Sequence, residues 1–323
     1  VKSGLTIAVA VLCLVSADLS PAAHAATFKI IANATPTAIN SDGTVTGTAM
    51  YGGEQGFIRT PDGTISYFQI PSGSIGTVTR INDAGVVAGT FTNLAVKHNK
   101  RYVFIRTPDG KISSFNMPFP ALDLSVGTLT SDDLVIGSVY SRKETGGFIG
   151  NSADNLTILN CSGILNIGIA GGNDMTVAVG GDGNGGIIRS PDGSCTEFRV
   201  NGNYNTNAVG INNAGVVIGI FGLDQFSWKG FVRSPDGTTT VIDVPNAVST
   251  VPVAINASGV IVGRTLDSGG VFHGFIRSPD GEISVFDAPR SGRGTFPMAI
   301  NSAGIITGYS ESRSRVKGFI RYP

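Results

Sequence analysis

Charge is scarce in this sequence, and what there is cancels. Only 14% of the 323 residues are charged, with 23 Lys and Arg set against 23 Asp and Glu. No basic surface therefore points to nucleic acid or to an anionic membrane. Histidine is rare, and beyond the first turns of the chain only His98 and His273 remain; neither sits in an H-E-x-x-H or related metal pattern. There is no G-x-S-x-G elbow, no P-loop and no C-x-x-C, and no window carries a useful helical period. These absences set aside the enzyme classes that announce themselves by short motifs, and no metal or cofactor is expected.

One apolar run stands out. Lys2 precedes "LTIAVAVLCLVSA", too short to span a bilayer, and "AAHA" then offers the small-x-small pattern Ala23-x-Ala25. Residues 1–25 are expected to be a signal peptide, leaving a periplasmic or secreted chain that starts at Ala26. Leu12 before Cys13 is too bulky for a lipid-attachment signal. No second segment is long enough to cross a membrane.

What is abundant is glycine, 45 residues of it, at regular positions between short apolar runs. Two phrases alternate. "GFIRSPDG" at Gly274 has close copies at Gly56, Val103, Gly186 and Gly230 and worn ones at Gly147 and Gly318, so the intervals run 47, 44, 39, 44, 44 and 44. "AINASGVIVG" at Ala254 has counterparts at Ala38, Arg80, Gly210 and Ala299 and degenerate ones at Thr128 and Gly171. A period in this range belongs to propeller blades or solenoid repeats.

The content of the unit chooses between them. In the sixth, "PVAIN", "VIVGRT", "GFIRS" and "ISVFDA" are short runs rich in β-branched and aromatic residues, bounded by Gly, Pro, Asn and Asp. Four antiparallel strands in each of seven units predict an all-β, seven-bladed β-propeller over residues 26–323, as one domain. The ends support a closed ring. "TFKII" at Thr27 to Ile31 aligns with a fourth strand, while "GFIRYP" ends after a third. Pairing them would complete the last blade and remove a sheet edge. The AIN strand is then innermost, where Ala38, Gly210, Ala254 and Ala299 suit a crowded axis.

The alternation of "AINxxGxxxG" with an aromatic strand resembles the HAF-type extracellular repeat proteins of bacteria, and the "SPDG" turn is similar to that of WD-like propeller repeats. The resemblance covers nearly all of the chain beyond residue 25. It implies export and a propeller-like fold, and it carries no catalytic residues.

The repeated polar residues read as scaffold. Asn40, Asn82, Asn173, Asn212, Asn256 and Asn301, with Thr130 in the third unit, open four-residue turns in which the side chain bonds the backbone two residues on; the competing reading is a ring of amides at the channel mouth that holds water, a cation or a sugar hydroxyl. Arg59, Arg106, Arg189, Arg233, Arg277 and Arg321 precede the SPDG turn and are expected to make a local salt bridge or backbone bond. Asp132, Asp133 and Asp174 lie in the degenerate units near the inner-strand turn, where a lone metal site is the alternative to a scaffold role. Cys161 and Cys195 fall near opposite ends of the equivalent strand in adjacent units, too far apart for a bridge, and are expected as free thiols despite the oxidising compartment.

Function is expected where the units disagree. The connections between strands two and three and between units project to one face, and they interleave aromatics with cations: Tyr102, Tyr140, Arg142, Trp228, His273 and Arg293 are the candidate ligand-binding residues, with Trp228 as anchor. The leading expectation is a monomeric, non-enzymatic propeller that recognises a glycan, a cell-surface polymer or a protein. The alternatives are a polysaccharide hydrolase or lyase with carboxylates near the channel, and a structural envelope protein.

Overall fold

The computed structural model describes residues 26–49, 55–71, 74–96, 100–143, 145–164, 166–222, 227–313 and 315–323. The expected signal peptide and His98 lie outside them. Among the described residues the only helical element is the 3-10 turn Val200–Gly202; everything else regular is strand. No described helix is long and apolar enough to cross a membrane.

The strands form five separate four-stranded antiparallel sheets and one eight-stranded sheet. Each four-stranded sheet is one sequence unit, with its strands in chain order, as in Ala34–Ile39, Val45–Ala49, Gln55–Arg59 and Ile65–Gln69 of unit one. The large sheet consists of units six and seven joined through a single parallel bridge, Phe272 to Gly294. The N-terminal strand Thr27–Ala32 is the outermost strand of unit seven, antiparallel to Val316–Tyr322 from Thr27 opposite Tyr322 to Ala32 opposite Lys317. The strand left over at one end of the chain thus fills the place missing at the other.

One pattern of side chains builds every interface between sheets. The Phe of the third strand is wholly buried in six units, as Phe57, Phe104, Phe148, Phe231, Phe275 and Phe319, and Ile187 takes its place in unit four. Phe57, Phe104, Phe148, Phe231 and Phe275 each lie over a second-strand glycine: a Cβ on Gly263 would sit 2.5 Å from the Phe275 ring and 2.3 Å from the Val251 carbonyl. Small residues on one strand and large ones on the next interdigitate as close packing demands, and each buried ring contributes about 1.5–3 kcal/mol. Every first strand also carries a one-residue register shift, for instance between Pro252 and Ala254. Such a bulge re-aims side chains, and here it turns them toward the central axis.

The expectation of free thiols is wrong. Cys161 and Cys195 form a disulfide, with their Cα atoms 5.8 Å apart. The linear alignment overlooked twist. Strands rotate successively across a sheet, so the outermost strand runs around the disc, and the end of one fourth strand meets the start of the next. The same meeting places Arg106 over Phe68, Arg233 over Phe198 and Arg321 over Phe286, at 5.0–5.2 Å from the ring centres. Between units three and four it brings Arg189 Nε to the Asn160 carbonyl at 3.2 Å, beside the disulfide.

Candidate functional site

The turn face is occupied by its own hydrogen bonds. Each ring Asn accepts from the backbone N–H four residues on, as Asn212 Oδ1 does from Val216 at 3.0 Å, rather than two residues on as the turn alone implied; Asn301 does both. Its Nδ2 donates to the carbonyl of the equivalent residue in the next unit. Asn40 donates to Asn82, Asn82 to Thr130, Asn173 to Asn212, Asn212 to Asn256, Asn256 to Asn301, and Asn301 back to Asn40. Thr130 keeps the local bond, accepting from the Leu134 N–H through its hydroxyl. All these side chains are buried.

A second series of bonds lies outside the first. The Asp83 carboxylate accepts from the Ser41 N–H, Asp174 from the Ser131 N–H and from Asn213, and Asp133 from Asn82. The repeated arginines reach over their own turns: Nη1 of Arg59, Arg106, Arg189 and Arg277 donates to the next residue's carbonyl. Within the turn, Asp62 accepts from the Thr60 hydroxyl and from Thr64, which holds its pKa below the usual carboxylate range. No described group of three or more His, Cys, Asp or Glu side chains is arranged to hold a metal.

The axial channel is a cavity of about 170 Å³ lined by first-strand residues of all units, from Thr37 to Ile300. No carboxylate is among those described residues; Asp174 lines an adjoining cavity at the inner turns.

The loop face distributes the six expected residues over five units. Tyr140 is 53% exposed at the end of Val135–Tyr140, and Arg142 is exposed just beyond it. Trp228 is half-buried, its ring laid over the glycine it opposes, Gly222, so it is engaged in its own sheet. Arg293 is exposed and borders a cavity of about 490 Å³ with Arg313 and Arg315. His273 is held between two carboxylates, Nδ1 3.0 Å from Asp287 and Nε2 3.2 Å from Asp267. Desolvation works to lower its pKa, but the hydrogen bonds and charges of the two aspartates outweigh it and leave the imidazole above the usual histidine range.

Tyr102 leads to a more developed cleft between units two and three. Its ring stacks on Phe91, with centroids 5.0 Å apart and planes 10° from parallel. Phe91 in turn lines a cavity of about 320 Å³ with Thr77, Thr90, Thr92, Arg101, Asp123 and Leu124. Arg101 Nη1 lies 3.2 Å from both the Asp123 carboxylate and the Thr92 hydroxyl. An ion pair this exposed adds little stability, yet it fixes a donor fork and an acceptor on one wall. In register, Asp123 stands opposite Tyr140, and the exposed Leu122 next to it donates its N–H to the Tyr140 carbonyl. Sequence reading named Tyr102 and Tyr140 but missed Arg101, Asp123 and the threonines. Adjacent in space but separated by a unit boundary, they carry no local signature.

No protein-family profile and no curated protein matches the chain. Among solved structures it is similar to virginiamycin B lyase from Staphylococcus aureus, with a TM-score of 0.62 and 16% identity over 91% of this chain and 99% of that one. It is also similar to the β-propeller domain of the Trilobed protease from Pyrococcus furiosus, with a TM-score of 0.60 and 12% identity over 90% and 95%. TolB from Acinetobacter baumannii follows at a TM-score of 0.52 and 12% identity over 83% and 76%. At these identities the likeness concerns the fold, which is that of a β-propeller.

Proposed function

We propose that the chain is an exported, monomeric, seven-bladed propeller that forms one domain over residues 26–323 and binds a glycan of the cell surface through the cleft between units two and three. The observation that carries this reading is the composition of that cleft. Three threonines, an Arg–Asp pair with unused hydrogen-bonding capacity and the apolar Phe91 and Leu124 line one cavity, which is the combination a sugar needs: polar groups for its hydroxyls and an apolar floor for its C–H groups. Tyr102, stacked behind Phe91, braces that ring. Export is supported by the disulfide, since such bonds persist in oxidising compartments.

Trp228 is not the anchor in this account, because its ring is engaged over Gly222. A glycan array with the wild-type protein, repeated with Arg101→Ala and Asp123→Asn, tests the assignment. Binding that weakens at least about tenfold in both variants, roughly 1.4 kcal/mol, supports it, whereas unchanged binding or a silent array overturns it.

A second reading is kept for one cluster. His273 is held between two aspartates on the loop face and has a raised pKa, and it is where a hydrolase or lyase acid would sit. Both ring nitrogens already have carboxylate partners, leaving none to meet a substrate, which favours a positioning role for the loop. Turnover on a polysaccharide panel that vanishes in His273→Gln would reverse that order.

A further inference from the structure

The one charged residue among those described along the axial cavity is Arg80. It occupies the first-strand position that holds Ala38, Thr128, Gly171, Gly210, Ala254 and Ala299 in other units, so a guanidinium stands where the rest of the ring has small, uncharged residues. Its Nε donates to the Gly127 carbonyl at 2.7 Å and its Nη1 to the Thr79 carbonyl at 2.8 Å. Both acceptors are neutral bulge carbonyls, and a guanidinium has five N–H donors. No described carboxylate forms an ion pair with it.

The acids of the turn face bond to other groups. Asp83 accepts from Ser41, Asp133 from Asn82, and Asp174 from Ser131 and Asn213. Arg80 is half-buried along the cavity wall, and the loss of water around it lowers its pKa. A charge partly withdrawn from water without a counter-charge is unfavourable, and proteins tend to pair it. Here the chain supplies carbonyls but no anion.

The rest of the lining sets the chemistry of the missing partner. Ile81, Ile211, Ile255 and Met298 alternate on the walls with Thr37, Thr128 and glycine backbone, and no second cation is among these described residues, so a single negative charge on a small body matches one guanidinium, while a doubly charged oxyanion would leave half its charge unpaired. About 170 Å³ accommodates a few heavy atoms with a water or two, at about 30 Å³ per water. We propose that the axial cavity binds a small monovalent anion, a short carboxylate or a halide, with the Arg80 guanidinium as its counter-charge. The site is independent of the loop-face cleft.

The test is thermal denaturation of wild-type and Arg80→Gln protein titrated with sodium butyrate, sodium bromide and sodium sulfate at matched ionic strength. Expected is a saturable rise in melting temperature with butyrate, bromide or both in the wild type. The half-saturation concentration should move at least about tenfold upward in Arg80→Gln, and sulfate should give no saturable response. Butyrate alone would identify the carboxylate source and bromide alone the halide. A rise that does not saturate, or one equal in the two proteins, overturns the proposal. If Arg80→Gln fails to fold, a bromide-soaked crystal of the wild type decides: an anomalous peak within about 4 Å of the guanidinium supports the site, and its absence refutes it.

Discussion

Asn256 performs two separable tasks, and replacing it with Thr or Ala should distinguish them. Its Oδ1 accepts from the Val260 N–H at 2.9 Å, closing its own turn, and its Nδ2 donates to the Asn301 carbonyl at 3.0 Å, fastening unit six to unit seven. Thr130 shows what a hydroxyl preserves at the same position, namely the turn bond alone. Asn256→Thr should therefore lose one buried hydrogen bond across the interface, about 1 kcal/mol, since the Asn301 carbonyl still accepts from Gly304. Asn256→Ala loses that bond and leaves the half-buried Val260 N–H without its partner, about 2–3 kcal/mol in total. Denaturant unfolding of both variants under non-reducing conditions reads the difference directly as a shift in midpoint at constant slope. Equal destabilisation by Thr and Ala, or none by either, would refute the division of labour.

The disulfide spans a sequence separation of 34, and chain entropy then assigns it about 3–4 kcal/mol. Cys161→Ala/Cys195→Ala should lose that much in denaturant titration, and an unchanged midpoint would contradict the pairing. Gly274 is opposed by Phe286, whose ring would lie 2.5 Å from an added Cβ. Gly274→Val should cost about 1–3 kcal/mol through overpacking, although Val103 holds the same place opposite Phe115 in unit two; wild-type stability in this variant would show that the ring yields. His273 has a raised pKa in the folded chain, so the stabilisation it supplies is full below its unfolded value of about 6.5 and is lost as pH rises through the folded one. Its imidazole should titrate above the free value by NMR, and Asp267→Asn should bring it down; a value that does not respond to that change would contradict the cluster.

The repeat phrases made most of the fold legible, because every letter answers to a local need. The Asn of "AIN" closes a turn, the Gly of the third strand faces a fourth-strand ring in units such as the sixth, and the Phe beside it fills the interface between sheets. What stayed hidden crosses units. Twist brings Cys161 to Cys195 and Phe198 to Arg233, and alignment along one strand has no access to an angle between neighbours. The cleft was half legible for the same reason. Tyr102 and Tyr140 stand out as aromatics in variable loops, whereas Arg101 gains its meaning only from Asp123, at the entrance of the following unit. Arg80 was concealed by the repeat itself, since "RIN" reads as one more variant of "AIN".

The location of binding is the central claim, and an amide hydrogen-exchange footprint tests it most directly. With the tightest polysaccharide from the array bound, protection is predicted at residues 90–93, 100–102 and 122–125, the strand ends that form the cleft between units two and three. Protection confined to the Asn-led and SPDG turns of the opposite face, with those segments unchanged, would contradict it.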